Sequence, residues 1–407
     1  MNSERSPGRD RLVLLALWLT VLASTSQIMI VAPILPQIGE ELHIAPALRG
    51  TLVTGFALTL SVFALVVGPI SDRVGRRPIL LWGSGALAAA LLLHPLATGY
   101  ASMLTVRMLA GVAAGILTGS AIAYIGDYFP YDRRGWASGW VMSGFAVGQV
   151  LGVPAGTVLA DRFGFGAAFV LFAVLMGGAF VLVLLVVPQP SSMSSAQARN
   201  RARLTVGTAL RGYMGLLGQR QVQGAALAYA TMFFAVSSFV TYMPTWAGQA
   251  LGMDADGIAL LFVVGGISSV LFGPQAGRLS DHFGRKPLII VSCVGTAVMF
   301  ALTTVLVTAP TAAYVLFFVA MLLLALRLSP FQALLTALVG DEQRGALMSL
   351  VVAIGQLGGG VGAALAGPIY ADAGFLGCTL LAAGSILITG LLVAAWIPEP
   401  RSDAAPA

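Results

Sequence analysis

Charge is what this sequence has least of. Of its 407 residues only 9% are Asp, Glu, Lys or Arg, against 58% that are hydrophobic, whereas a water-soluble domain carries roughly 25% charged residues. So sparse a set cannot cover a water-facing surface, which excludes an ordinary soluble enzyme or binding domain. Cysteine is nearly absent: Cys293 and Cys378 both lie inside apolar runs, so neither a disulfide framework nor a metal site is expected. The three histidines, His43, His94 and His282, are isolated. That excludes the H-E-x-x-H zinc signature, and no G-x-x-x-x-G-K-[ST] loop is there to cradle a nucleotide phosphate. No cofactor is therefore expected. Acids are missing where they would matter most: none falls clearly inside an apolar run, and Asp127, Asp161 and Asp372 come nearest, at run ends.

What the sequence does have is length of apolar stretch. Twelve can be drawn, at 11–33, 47–70, 79–98, 101–126, 136–160, 165–187, 222–247, 256–278, 287–308, 311–338, 345–370 and 375–397. Each has ~20 or more residues, enough at ~1.5 Å per residue to cross a hydrocarbon core of ~30 Å. We number them spans 1 to 12. The first follows Arg5, Arg9 and Arg11 and runs past Val31 without a small-residue cleavage pattern, so it reads as a span rather than a signal peptide. Between spans 6 and 7, residues 188–221 are rich in Ser and Arg and then weakly amphipathic from Leu204 to Leu217. They read as a cytoplasmic linker carrying a helix on the membrane surface, joining bundles at 1–187 and 222–407.

With the N-terminus inside, 18 of the 22 Lys and Arg residues fall on the cytoplasmic side, Arg49 and Arg162 fall outside, and Arg107 and Arg327 lie within spans. The positive-inside rule then places both termini in the cytoplasm of a multi-pass protein of the inner (plasma) membrane. The net charge of +6 reflects this topology, and no nucleic-acid partner is expected.

The chain also repeats itself. GPISDRVGRRP at 68–78 returns as GRLSDHFGRKP at 277–287, Arg134-Gly135 as Arg344-Gly345, and LADRFGF at 159–165 as YADAGF at 370–375. These offsets all lie between 209 and 211 residues. The expected fold is therefore all-α and membrane-integral, with twelve transmembrane helices in two pseudo-symmetric six-helix bundles around a central cavity.

The turn between spans 2 and 3 resembles the signature of the major facilitator superfamily at Gly68, Ser71, Asp72, Arg73, Gly75, Arg76 and Arg77, and the likeness covers nearly the whole chain. The second copy keeps Gly277, Ser280, Asp281, Gly284, Arg285 and Lys286. Gly68 permits close helix approach, Gly75 permits a tight turn, and Asp72 can accept from a neighbouring helix N-terminus. The resemblance implies that this turn, with Arg134 before span 5, latches the halves on the cytoplasmic side when the carrier faces outward. Asp127 is either the partner of its arginines or an ordinary helix-end carboxylate. Span 5 carries Gly144, Gly148, Gly152, Pro154 and Gly156. This stripe resembles the signature of the drug and sugar efflux branch, although Val153 separates a Gly and Pro that are usually adjacent. Generic packing would give the same stripe.

Within the spans, Arg107 matches a basic position that the resemblance links to proton transfer. An arginine stays charged, so it can bias a neighbour, hold an anion, or snorkel outward. Arg327 lies near the middle of span 10, where an arginine costs roughly 2.5–3.5 kcal/mol. It is expected to face the cavity, the alternative being carbonyls freed near Pro330. Gln27, Gln149, Gln332 and Gln356 need partners when buried, and Tyr229, Phe233, Phe234 and Tyr242 could stack on a substrate; all are cavity candidates. The histidines read as structural. A cavity with arginines and no acids suits neutral or anionic solutes. The expected function is export of small organic molecules, drug-like or sugar-like, by a monomer that exchanges them for protons and draws on the proton gradient. A facilitator or importer of a neutral or anionic metabolite, or a lipid transporter, are the alternatives. Single cysteines placed at 73–77 and 285–286 should react with impermeant reagents from the cytoplasmic face only; labelling from outside would overturn the topology.

Overall fold

Lipid offers no partner to a backbone N–H or C=O, so apolar runs of this length become helices that satisfy themselves. In the computed structural model, which describes residues 7–189, 206–340 and 343–398, every regular element is a helix. The spans run Gly8–Met29, Pro46–Gly68, Arg76–Leu96, Tyr100–Tyr128, Arg133–Phe163, Phe165–Leu185, Arg220–Leu251, Ala255–Gly273, Arg285–Leu306 and Pro310–Leu335. They are followed by a 53-residue helix, Arg344–Trp396. That last helix would be roughly 80 Å long if straight, far more than one crossing needs. It breaks at Gly374, where φ is 65° and ψ is −165°, so it supplies both span 11 and span 12.

The internal repeat is written in the backbone. Gly75 and Gly284 end their helices with φ of 98° and 86°, and Gly164 and Gly374 turn with φ of 85° and 65°. A side chain is strained at such angles, so these glycines fix equivalent corners in the two halves. Span 1 packs on spans 5 and 6, span 2 on span 4, and span 3 on spans 4 and 6. In the second half span 7 packs on the 11–12 pair, span 8 on span 10, and span 9 on span 10 and the 11–12 pair.

The glycine stripe of span 5 is turned onto span 1. A Cβ on Gly144 would sit 2.7 Å from the Trp18 carbonyl oxygen, and one on Gly148 would sit 2.9 Å from Ser26 Oγ. One on Gly156 would lie 2.9 Å from Ile30 Cδ1. Just before Pro154 the helix widens into a π-turn over Gly148–Gly152, the kind of local rewinding that follows when a proline removes an i→i−4 bond. Ser26 Oγ braces this turn, 2.8 Å from Leu22 O and 3.2 Å from Gly148 O.

The two halves meet through spans 2 and 11 and through spans 5 and 8. Their named contacts run from the end opposite the basic turns, here the far end, to mid-depth. At the far end the Tyr242 hydroxyl accepts from Gly50 N at 3.0 Å and donates to Pro46 O at 2.8 Å. Thr54 Oγ1 donates to Gly360 O at 2.6 Å. A Cβ on Gly50 would collide with the Ala363 carbonyl, and one on Gly367 with the Ala47 carbonyl. At the turn end the picture reverses: added Cβ atoms on Gly68, Gly273 and Gly345 would meet nothing within 4 Å. The named contacts between the halves thus gather from the far end to mid-depth.

The linker segment forms a helix, Val206–Leu217. It does not simply float on lipid as its amphipathic pattern suggests. Tyr213 and Leu216 are buried against the protein, and the helix touches spans 2 and 7 and the 11–12 pair. The Tyr213 hydroxyl donates to Leu65 O at 3.2 Å. Four residues beyond Leu65 stands Pro69, which has no N–H to offer that carbonyl; the tyrosine supplies the missing donor.

If the far-end contact rests on these glycines, Gly367→Val should force spans 2 and 11 apart there, at an overpacking cost of about 1–3 kcal/mol. Cysteines at 54 and 360 should cross-link readily in the parent and several-fold more slowly once Gly367→Val is added. An unchanged cross-linking rate would remove the glycines from that contact.

Candidate functional site

The turn between spans 2 and 3 is held by two arginines of different reach. Arg76 Nη1 donates to Ser71 Oγ at 2.8 Å, and its Nε donates to Asp127 Oδ2 at 3.3 Å. The structure thus brings together the turn and the inner end of span 4. Arg77 donates to Val187 O at 2.7 Å and Leu184 O at 2.9 Å, capping the open carbonyls at the end of span 6. Arg134 donates to Phe129 O at 3.0 Å. A second cluster sits beside it: Tyr128 Oη donates to Asp10 Oδ1 at 2.9 Å, and Arg133 lies 3.7 Å from Asp10 Oδ2. In the second half Arg285 donates to the Ala333 carbonyl at 3.2 Å. Asp72, Arg73 and Asp281 fall in the described helices, but their side chains lie outside the described ones.

Deep in the first half, Arg107 is 1% exposed. Its Nη1 lies 3.5 Å from Gln27 Oε1, and its guanidinium carbon stands 4.4 Å from the centre of the Phe56 ring. This is a cation–π geometry, assembled by spans 1, 2 and 4. Its burial rules out snorkelling. His94 closes the same region from the far end of span 3. It is fully buried, stacks on Phe169 at 4.0 Å, and places Nδ1 2.8 Å from Ala90 O.

Arg327 does not open onto a cavity. It too is 1% exposed, and its Nη1 reaches Ser292 Oγ at 3.4 Å and Thr296 Oγ1 at 3.2 Å on span 9. Both hydroxyls keep their own protons on helix carbonyls, Leu323 O and Ser292 O, which leaves lone pairs for the guanidinium. The reason for the difference is rotational: position 327 is turned toward the small polar face of span 9, not toward the partner half. Tyr242 is likewise a far-end tie between halves, stacked on Tyr370 at 5.1 Å, and not a stacking platform.

The other candidates divide. Tyr229 stacks on Phe233 at 5.0 Å and Phe331 at 5.6 Å, and Gln332, exposed, hydrogen-bonds the Tyr229 hydroxyl. Spans 7 and 10 thereby bring three of these side chains, with Phe331, into one aromatic and amide cluster. Gln149 and Gln356 are half-buried on spans 5 and 11 and stand apart from it. Sequence reasoning passed over Phe56, Thr54 and Tyr213. The first two sit in an apolar run without distinguishing pattern. For Tyr213 a signal existed: a tyrosine on the apolar side of an amphipathic segment, with an orphaned carbonyl created by a proline elsewhere.

The family model of the Major Facilitator Superfamily matches residues 17–268 and again 225–407. Among related proteins, the chain is 28% identical to an uncharacterized MFS-type transporter, YceJ, of Bacillus subtilis, over 84% of this chain and 85% of that one. It is 24% identical to the multidrug resistance protein MdtG of Citrobacter koseri over 92% of each. Among solved structures, the crystal structure of a D-xylose–proton symporter superposes with a TM-score of 0.78 at 18% identity, covering 96% of this chain and 98% of that one.

The Arg76–Asp127 pair is partly open to water, with side-chain exposures of 15% and 28%, so screening limits its strength. A double-mutant cycle of Arg76→Ala and Asp127→Ala, read by thermal unfolding, should give a coupling of about 0.2–1 kcal/mol. Strict additivity would dissolve the pair.

Proposed function

The chain belongs to the major facilitator superfamily of membrane transporters, and from that premise we propose that it exports small neutral or anionic organic molecules by alternating access in exchange for protons. The observation that carries the solute class is the interior charge. Arg107 and Arg327 are both buried, and no carboxylate among the described residues pairs with either. An interior of that sign opposes organic cations. Relatives named for multidrug resistance align along most of the chain, which supports export. With the basic turns in the cytosol, as the positive-inside rule has it, the far-end contacts support reading this as a state that loads from the cytoplasm. The halves would then rock about their contacts between spans 2 and 11 and spans 5 and 8. On this reading the proton gradient is the energy source, both termini are cytoplasmic, and the carrier works as a monomer.

A facilitator is the second reading. One observation favours it: the described acids lie at span ends or in loops, so no deep carboxylate offers itself as a proton carrier.

Proteoliposomes loaded with a pH-sensitive dye separate the two. Adding a transported neutral or acidic solute should move protons in the opposite direction to the solute. Counterflow of labelled solute with no proton movement would establish the facilitator. A preference for a quaternary ammonium compound over neutral and acidic solutes would overturn the assignment of solute class.

A further inference from the structure

A buried positive charge needs a negative one near it, and the two interior arginines differ in how they are provided for. Arg327 has two hydroxyls within 3.4 Å and the Cys293 thiol beside it. Arg107, equally buried, has one amide oxygen at 3.5 Å and the face of Phe56, for a group that carries five N–H donors.

Among the described residues, six buried side-chain nitrogen or oxygen atoms have no hydrogen-bond partner; Gln27 Nε2, His94 Nε2 and Arg107 Nε are three of them, and Arg327 Nε is another. Gln27 touches Arg107, and His94 lies within electrostatic reach of it. With Nδ1 of His94 on a carbonyl, that nitrogen carries a proton. The neighbourhood therefore offers unmatched donors from Arg107 and Gln27 around one uncompensated charge. Leaving such donors unpaired in a low-dielectric interior is costly. Burying the charge uncompensated is costlier still.

We propose that Arg107 and Gln27 form an anion-binding site at the meeting of spans 1, 2 and 4, whose ligand is a singly charged anion: the carboxylate of a transported solute or a small inorganic ion. Arg107 gives the charge and the Nε–H, Gln27 gives its amide N–H, and Phe56 holds the guanidinium plane in place from the other side. A planar guanidinium is suited to a carboxylate. The site is closed in the state described, so the anion enters and leaves as the spans move. This inference rests on the reading that the solutes are neutral or anionic, and gives it a definite seat.

The test is thermal unfolding of the purified full-length protein, titrated with sodium chloride and, separately, sodium benzoate. Sodium sulfate holds the ionic strength, its doubly charged ion being a poor match for one guanidinium. The parent should be stabilised by at least one of the two monovalent anions. Arg107→Gln should weaken that response at least tenfold. Gln27→Glu places a carboxylate within the chain; it should raise the midpoint in anion-free buffer and abolish the response to added anion. Benzoate acting alone, and exchanging in counterflow, assigns the site to the solute; chloride acting alone assigns it to an inorganic ion. No stabilisation of the parent, or equal stabilisation of parent and both variants, overturns the site. Proton-linked counterflow of a neutral solute without any anion response would leave the transport reading standing and remove this one. An Arg107-dependent anion response in a protein that moves no solute would do the opposite.

Discussion

Backbone meeting backbone at the far end is the contact on which the rest of the molecule depends. Helices in lipid gain nothing from hiding apolar surface, so they adhere by close approach and by hydrogen bonds. Spans 2 and 11 use both: Gly50, Gly360 and Gly367 remove the side chains that would keep the helices apart, and Thr54 and Tyr242 tie the exposed backbone groups across the gap. The named contacts run from there to mid-depth, where Gly266 of span 8 meets Val150 of span 5, so glycine sets where the halves hold together.

The halves share a plan but not a charge distribution. In the first, Arg76 pairs with Asp127 across spans 3 and 4. In the second, Arg285 donates to the Ala333 carbonyl, and the position 210 residues after Asp127 is Ala337. The interior differs too. Arg107 belongs to span 4, and its counterpart by the same offset is Phe317 in span 10, while Arg327 sits further along that span and faces span 9. The duplication thus preserved corners and crossings, set by glycine, and let the polar interior diverge.

Much of this was legible before any coordinates. Uninterrupted apolar runs leave the backbone one choice, so the spans could be drawn to within a few residues; the glycines at 75 and 284 marked the repeat because no other residue turns there without strain. From Arg344 to Trp396 the two last spans follow one another directly, divided where Gly374 leaves helical angles. Direction was not legible. Apolar residues surround these spans on every side, so periodicity does not say which face meets lipid, which a neighbour and which the partner half. That is why Arg327 and Tyr242 read equally well as cavity residues, and why the stripe of span 5 could be identified without its partner, span 1. Span 4 breaks where Gly119 takes φ of 72°, and only the short Thr118-Gly119-Ser120 run, with no proline, announces it.

The helix at Val206–Leu217 changes what the connection between the halves means. By lending the Tyr213 hydroxyl to a carbonyl that Pro69 orphaned, it is tied to the first half, while it also touches span 7 and the 11–12 pair of the second. A connector of equal length without that tyrosine would still join the halves and would still leave Leu65 with a bare oxygen near the turn end of span 2. The connector is therefore a brace shared by both halves, and a cut on either side of it would strip one of them of a contact it has in the whole chain.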